Sequence, residues 1–190
     1  MVNTTPLELV VLDRDGVINR ESPDFIRSPT EWLPLPGSIQ AIADLCRAGF
    51  TVVVASNQSG VGRGLFTLET LEEIHARMRQ AVAAAGGQLA GIFFCPHRPE
   101  DNCECRKPRA GLMRQIEASF GASLKGRPAI GDSWRDLEAA WVVGARAMLV
   151  RTGNGVATEP RLDAGHTAEV FPDLAAAATL LIAEKREPAC

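Results

Sequence analysis

"LELVVLDRDGVIN", residues 7–19, decides the fold. Leu9–Leu12 is a short, continuous aliphatic run, the pattern of a strand covered on both faces. It stops at Asp13, and Asp-Arg-Asp-Gly is turn chemistry. Residues i and i+2 of an extended segment share a side. Asp13 and Asp15 should therefore converge on one rim while Arg14 points away.

Working outward, further apolar runs lie at Thr51–Ala55, Ile92–Phe94, Pro128–Ile130, Ala147–Val150 and Ala168–Phe171. Between them the apolar spacing becomes helical. Ser38 is placed to cap a helix carrying Ile39, Ile42 and Leu45, stopped by Gly49. Thr67 is placed to cap a longer helix with Leu68, Leu71, Ile74, Met78 and Val82, ended by Gly86 and Gly87. Further helices are expected at 111–120, 134–143 and 173–184. Strands alternating with helices predict a doubly wound, three-layer parallel α/β sheet in a single domain spanning 1–190. The gaps at 16–50 and 60–91 leave no room for a large cap domain. Pro-rich 19–37 reads as a loop or flap, and 1–6 and 185–190 as loose ends.

Composition narrows the class. The chain has 190 residues, 46% hydrophobic content and net charge -3, which describe a soluble globular protein and give no reason to expect a nucleic-acid partner. The first apolar run is too short for a membrane span or a signal h-region, so no membrane association and a reducing, cytoplasmic compartment are expected. A monomer is expected.

Ligands of open parallel sheets bind beyond the C-terminal strand ends. There the sequence sets "DRDGVIN", then "SNQSGVGRG" from Ser56, then a Cys/His loop, then "GDSWRD" with Asp132 and Asp136. Asp13, Asp15 and Asp132 near one point call for a cation, and Mg²⁺ suits carboxylates, water and phosphate oxygens. An ionised Asp13 beside Mg²⁺ and Lys107 is a nucleophile toward phosphorus, and Asp15 is placed for acid/base work. Ser56, Asn57 and the backbone N–H groups of the Gly-rich turn suit phosphoryl oxygens, with Lys107 offsetting transition-state charge. "SGVGRG" matches neither nucleotide-loop pattern.

"CPHRPEDNCECRKP", residues 95–108, gathers Cys95, His97, Cys103 and Cys105, three thiolates and an imidazole suited to tetrahedral Zn²⁺. Four ligands leave no open position, so the zinc is expected to be structural and to fix where Arg106 and Lys107 reach. A reactive thiol lacks an arranged base, and a Cys103–Cys105 disulfide is strained.

These motifs resemble the haloacid dehalogenase superfamily of phosphohydrolases across residues 8–152. "DRDGVIN", "SNQSGVGRG", "CPH…CECRKP" and "GDSWRDLEAA" together resemble its D-glycero-D-manno-heptose 1,7-bisphosphate 7-phosphatase family, close relatives of the histidinol-phosphatases. The resemblance implies Asp13 as nucleophile, Asp15 as acid/base, and Ser56 and Lys107 as phosphate ligands. It implies Mg²⁺ on Asp13, the Asp15 carbonyl and Asp132, and the same zinc site. Substrate contacts are implied from Asn57, Gln58, Ser59 and Arg106, and from Glu21 and Ser22 in the flap. The implied substrate is a small sugar bisphosphate, destined for nucleotide-activated heptose of bacterial surface glycans. Ser56 stands where Thr is frequent, and Ser133 where some relatives carry Lys, leaving Lys107 as the lysine at the phosphate.

Histidinol-phosphate hydrolysis is the competing activity, and a non-hydrolysing phospho-acceptor or zinc-dependent interaction module the competing class. His75 is expected exposed on its helix flank and His166 in a loop. Trp141 and the alanine-rich 173–184 face are expected to pack. Trp134 is read as packing or a substrate contact, and Arg63 as a solvated charge or a contact for a second phosphate.

Overall fold

The computed structural model describes residues 7–163 and 165–186. The strands are β1 (Leu9–Leu12), β2 (Thr51–Asn57), β3 (Leu89–Cys95), β4 (Pro128–Gly131), β5 (Arg146–Val150) and β6 (Glu169–Phe171). They form one parallel sheet in the order β3-β2-β1-β4-β5-β6. The chain winds outward from β1 in one direction and from β4 in the other. The switch point between them is where such sheets open a ligand crevice.

Strand alternation explains the three layers. Val10, Leu12, Val52, Val54, Met148 and Val150 face one core with α1 (Ser38–Arg47), α3 (Leu68–Ala84) and α7 (Leu174–Arg186). Leu9, Val11, Val53, Ala55, Ala147 and Leu149 face the other with α4 (Gly111–Phe120) and α5 (Trp134–Val142). Two single-turn helices, α2 (Ser59–Gly62) and α6 (Gly155–Thr158), follow β2 and β5. The expected doubly wound architecture without a large cap is what is found.

Several boundaries differ. β2 and β3 extend further than their apolar runs, because backbone pairing continues through Ser56↔Phe94 and Asn57↔Cys95 although Ser56 and Asn57 are polar. Ser38 is not the cap of α1. Gly37 holds that position at φ 76, and Ser38 Oγ donates instead to the Ile18 carbonyl at 2.6 Å and the Leu35 carbonyl at 2.9 Å. Thr67 does cap α3, accepting from the Thr70 N–H at 3.2 Å. Of the expected loose ends, 1–6 and 187–190 lie outside the described residues, whereas Lys185 and Arg186 close α7.

His75 corrects the expectation of exposure: it is fully buried. Its position shares the stripe of Leu71, Met78 and Val82 on α3, so helical spacing overrides the polar side chain. Its ring is tilted against Phe94 at 5.5 Å between centroids. Burial, with Arg14 and Arg79 nearby, pushes the imidazole down to about 3, so it is neutral.

The flap is anchored. Ile26 and Trp32 are buried in the core, and Arg20 N and Leu35 N pair with Leu33 and Ile18 carbonyls across its base. Its interior contains one short 3-10 turn, Pro29–Glu31.

Candidate active site

Asp13 leaves β1 with its N–H donated to the Ile130 carbonyl of β4 at 2.9 Å, which fixes it at the switch point. It is 6% exposed and Lys107 2%. Lys107 Nζ donates to Asp13 Oδ1 at 2.8 Å and to the Ala55 carbonyl at 2.6 Å. It also forms an ion-pair contact with Asp136 Oδ1 at 2.6 Å, without hydrogen-bond alignment. Burial disfavours the charge on Lys107, but the two carboxylates outweigh it and hold the ammonium above its ordinary range.

The carboxylates that meet are Asp13, Asp132 and Asp136, each with an oxygen within 4.8 Å of the others. The third was expected to be Asp15. Instead, Arg14 folds back and grips the Asp15 carboxylate from Nε at 3.1 Å and Nη2 at 2.9 and 3.0 Å. Arg14 thus does not point away: it is 1% exposed and lines the cavity. Asn19 Nδ2 at 2.8 Å and Gln58 Nε2 at 2.9 Å complete the cage. Burial pushes Asp15 upward, but Arg14 and these two donors prevail and hold it below the usual carboxylate range. Asn19 is in turn oriented by Trp32 Nε1, which donates to its Oδ1 at 3.0 Å. The flap's buried tryptophan therefore sets the Asp15 carboxylate by way of Asn19.

Asp132 follows β4. Its Oδ2 accepts from Asn154 N at 2.7 Å and Asn154 Nδ2 at 3.0 Å. Gly16, at φ +79, and Gly153, at φ +57, pack so closely that a Cβ would sit 2.0 and 2.1 Å from that oxygen. Asp132 Oδ1 is buried and without a hydrogen-bond partner among the described residues. Burial and the charges of Asp13 and Asp136 push Asp132 up to about 8. Burial, against the pull of Lys107, pushes Asp13 up to about 6. An orphaned buried carboxylate oxygen beside a second carboxylate under repulsion fits a hard divalent cation. Asp136 is otherwise engaged: Ser133 N and Oγ bond its Oδ2, and Lys107 faces its Oδ1. It positions the lysine, a role the sequence reading left unassigned.

The remaining expected residues divide. Ser56 Oγ is buried and accepts from Gln58 Nε2 at 2.7 Å. The Asn57 amide is spent on Lys107, donating to its carbonyl at 2.9 Å and accepting from its N–H at 3.0 Å. Glu21, Ser22, Gln58, Ser59 and Arg106 join Asp13, Asp15 and Lys107 around one cavity of about 270 Å³. Arg135 also lines it and was not singled out from sequence. Arg63 lies 3.9 Å from Glu100 in an exposed pair, away from that lining. Trp134 packs edge-on against Trp141 at 5.2 Å, with Arg161 4.3 Å from its ring, and does not line the cavity.

The Cys/His loop closes on itself. Cys105 Sγ lies 3.2 Å from Cys95 Sγ and 3.4 Å from Cys103 Sγ, and Cys95 and Cys103 are 3.5 Å apart. His97 Nδ1 lies 3.3 Å from Cys105 Sγ and 3.7 Å from Cys95 Sγ. These separations exceed an S–S bond of about 2 Å and match four donors facing a common centre. Arg106 Nη1 donates to the His97 carbonyl at 3.2 Å, so the loop carries its cation to the cavity wall.

The sheet order and the Asp13–Lys107–Asp132 convergence at its switch point define a HAD-type hydrolase. The HAD-hydrolase-like family model matches residues 104–177, and the polynucleotide kinase 3 phosphatase model residues 9–131. D-glycero-beta-D-manno-heptose-1,7-bisphosphate 7-phosphatase of Bordetella bronchiseptica is 49% identical over 94% of this chain and 99% of its own. The enzyme of that name from Pseudomonas aeruginosa is 50% identical over 92% and 97%. The crystal structure of the B. bronchiseptica phosphatase complexed with magnesium and phosphate superposes with a TM-score of 0.91, covering 94% of this chain and 99% of that one. The chain belongs to the D-glycero-beta-D-manno-heptose-1,7-bisphosphate 7-phosphatase family.

Proposed function

We propose that the protein releases the C7 phosphate of D-glycero-D-manno-heptose 1,7-bisphosphate through an aspartyl-phosphate on Asp13. The observation that carries the chemistry is the approach of Lys107 to Asp13 at 2.8 Å beside the orphaned oxygen of Asp132. The substrate comes from the relatives, whose names specify the sugar.

Asp13 attacks phosphorus and the bond from phosphorus to the sugar oxygen breaks. Asp15 protonates the departing oxygen. It is held ionised in the free protein, and an arriving phosphate dianion opposes the pull of Arg14, raising its affinity for a proton. Asp15 then takes a proton from water, whose oxygen attacks phosphorus. The Asp13–phosphate bond breaks, and inorganic phosphate leaves. Ser56 and Lys107 hold the phosphoryl oxygens, and Gln58 and Ser59 shape the pocket around them. Asp13, Asp132 and the Asp15 carbonyl would hold Mg²⁺, which when bound would supply charge neutralisation for the transferring group.

Zn²⁺ on Cys95, His97, Cys103 and Cys105 serves structure, supported by the fourfold donor set. Glu21 and Ser22 meet the sugar from the flap side of the cavity. Among the described residues no helix is long and apolar enough to cross a membrane, and we place the protein in the cytoplasm as a monomer, where described cysteines outside any disulfide suit a reducing compartment.

The test is phosphate release from heptose 1,7-bisphosphate, histidinol phosphate and a 3′-phosphorylated oligonucleotide, each with and without Mg²⁺. Mg²⁺-dependent turnover fastest on the heptose is expected. Faster turnover of histidinol phosphate overturns the substrate assignment.

A further inference from the structure

The loop that follows β5, residues 152–158, closes on Asp132 and on the turn after β1. Thr152 Oγ1 donates to the Gly16 carbonyl at 2.6 Å. The Thr158 hydroxyl is shared between the Asp132 carbonyl at 3.0 Å and the Asn154 carbonyl at 3.1 Å. Asn154 is at the centre. Its backbone N–H and its Nδ2 both donate to Asp132 Oδ2, so one residue fills the acceptor capacity of that oxygen. Gly16 and Gly153 pack against the same oxygen. Oδ1, buried and without a hydrogen-bond partner among the described residues, is the oxygen left for a cation.

An amide nitrogen carries two hydrogens. The second on Asn154 Nδ2 goes to Glu21 Oε2 at 3.1 Å. Glu21 belongs to the flap and lines the cavity. Among the described residues, the hydrogen bonds of residues 21–25 otherwise stay within 21–27. Ser22 Oγ donates to the Phe25 carbonyl at 3.2 Å, for example, and Arg27 Nε to the Asp24 carbonyl at 2.7 Å. Asn154 is thus the hydrogen-bonded tie, among the described residues, from the flap's tip to the floor of the site. Packing does not account for it, because Asn154 is exposed. A segment held this sparsely opens at low free-energy cost.

We propose that Asn154 is a positioning residue that turns Asp132 so that Oδ1 faces the cation site, and that couples this site to the seating of the flap through Glu21. The proposal rests on the reading of Asp132 as a Mg²⁺ ligand. Such coupling is reciprocal. A flap seated on Asn154 favours the cation, and a cation on Asp132 favours the seated flap. The link is one amide group: the bond to Asp132 fixes its plane, and that plane decides whether the second N–H points at Glu21.

The test needs no substrate. Mg²⁺ is titrated calorimetrically into the full chain as wild type, N154A and E21A. Hydrogen exchange of flap peptides is followed by mass spectrometry with and without Mg²⁺. N154A keeps the backbone N–H and loses both side-chain bonds. It is expected to weaken Mg²⁺ binding about tenfold. In the wild type Mg²⁺ should slow flap exchange about fivefold, and N154A should abolish that slowing. E21A leaves both bonds to Asp132 in place; it should abolish the slowing too, and weaken Mg²⁺ less than N154A does. Because Asn154 is exposed, melting of metal-free N154A should move by less than about 2 °C. Mg²⁺ affinity in N154A within about twofold of wild type overturns the positioning role. Slowing that survives in N154A or E21A overturns the coupling. Metal-free N154A that melts much lower, with faster exchange along the whole chain, makes Asn154 a merely structural residue and overturns both. Wild type that binds no Mg²⁺ removes the metal reading itself, an outcome distinct from wild type and N154A binding it equally.

Discussion

The side-chain amide of Asn57 holds the backbone of Lys107 from both sides, donating to its carbonyl at 2.9 Å and accepting from its N–H at 3.0 Å. The two residues are 50 apart in sequence, and this pair ties the end of β2 to the end of the Cys/His loop. Lys107 is thereby fixed by Asn57 at its backbone and by Asp13, Ala55 and Asp136 at its ammonium.

Asn57→Ala should therefore act on Lys107. Turnover is expected to fall about 10–100-fold through misplacement of the ammonium, and melting to drop by a few degrees as two hydrogen bonds are lost. Steady-state kinetics with calorimetric melting checks this. Unaltered kcat would show that Asn57 does not position Lys107.

Asp15→Asn removes the proposed proton carrier but keeps a side chain that Arg14 and Gln58 still surround. A loss in kcat of about 10²–10⁴-fold is expected. Stopped-flow and steady-state phosphate release measure it. Wild-type turnover in this variant would exclude Asp15 as acid and base.

Metal and pH should be linked. With Asp13 near 6 and Asp132 near 8, both raised chiefly by burial, the folded protein without Mg²⁺ binds more protons than the unfolded chain. The stability these two groups contribute is then fullest below the ordinary carboxylate range and falls as pH rises through those two values. Thermal melts without Mg²⁺ should show Tm declining from pH 5 to pH 8, and added Mg²⁺ should raise Tm more at pH 8 than at pH 6 because fewer protons must be displaced. A Mg²⁺ shift larger at pH 6 would oppose this.

Cys105→Ser should lose tightly held zinc, for which one ion per wild-type chain is expected. Arg106 and Lys107 follow directly, so sugar-bisphosphate turnover should fall with the metal content. Elemental analysis alongside kinetics tests it; wild-type protein free of zinc would remove the structural-metal account.

Much of this molecule was readable from its residues, for physical reasons that also mark where reading stopped. Aliphatic runs ending in Asp13 and Asp132 announce parallel strands and a rim, because period and burial are written along the chain. Thr67 was readable as a cap because its partner is three residues away. Arg14 was not. A strand's alternation sends it away from Asp15, but the chain turns at Gly16 and the long side chain doubles back. The places of Asn154, Asp136 and Arg135 at the site depend on distances between residues on different strand ends, and no local pattern carries those. The distances of Asp13 and Asp136 to Lys107 are a property of the assembled sheet. For His75 a signal existed, its place in the 71–75–78–82 stripe, and chemical type outweighed it.

The most direct measurement traps the phosphorylated protein. The wild type and D15N are mixed with heptose 1,7-bisphosphate and Mg²⁺, quenched in acid, reduced with borohydride, and mapped by peptide mass spectrometry. Borohydride converts an acyl-phosphate to an alcohol, so reduction is predicted at residue 13, with more of it in D15N. Reduction at Asp132 or Asp136 instead, or none at residue 13 in either protein while phosphate is being released, would contradict the account.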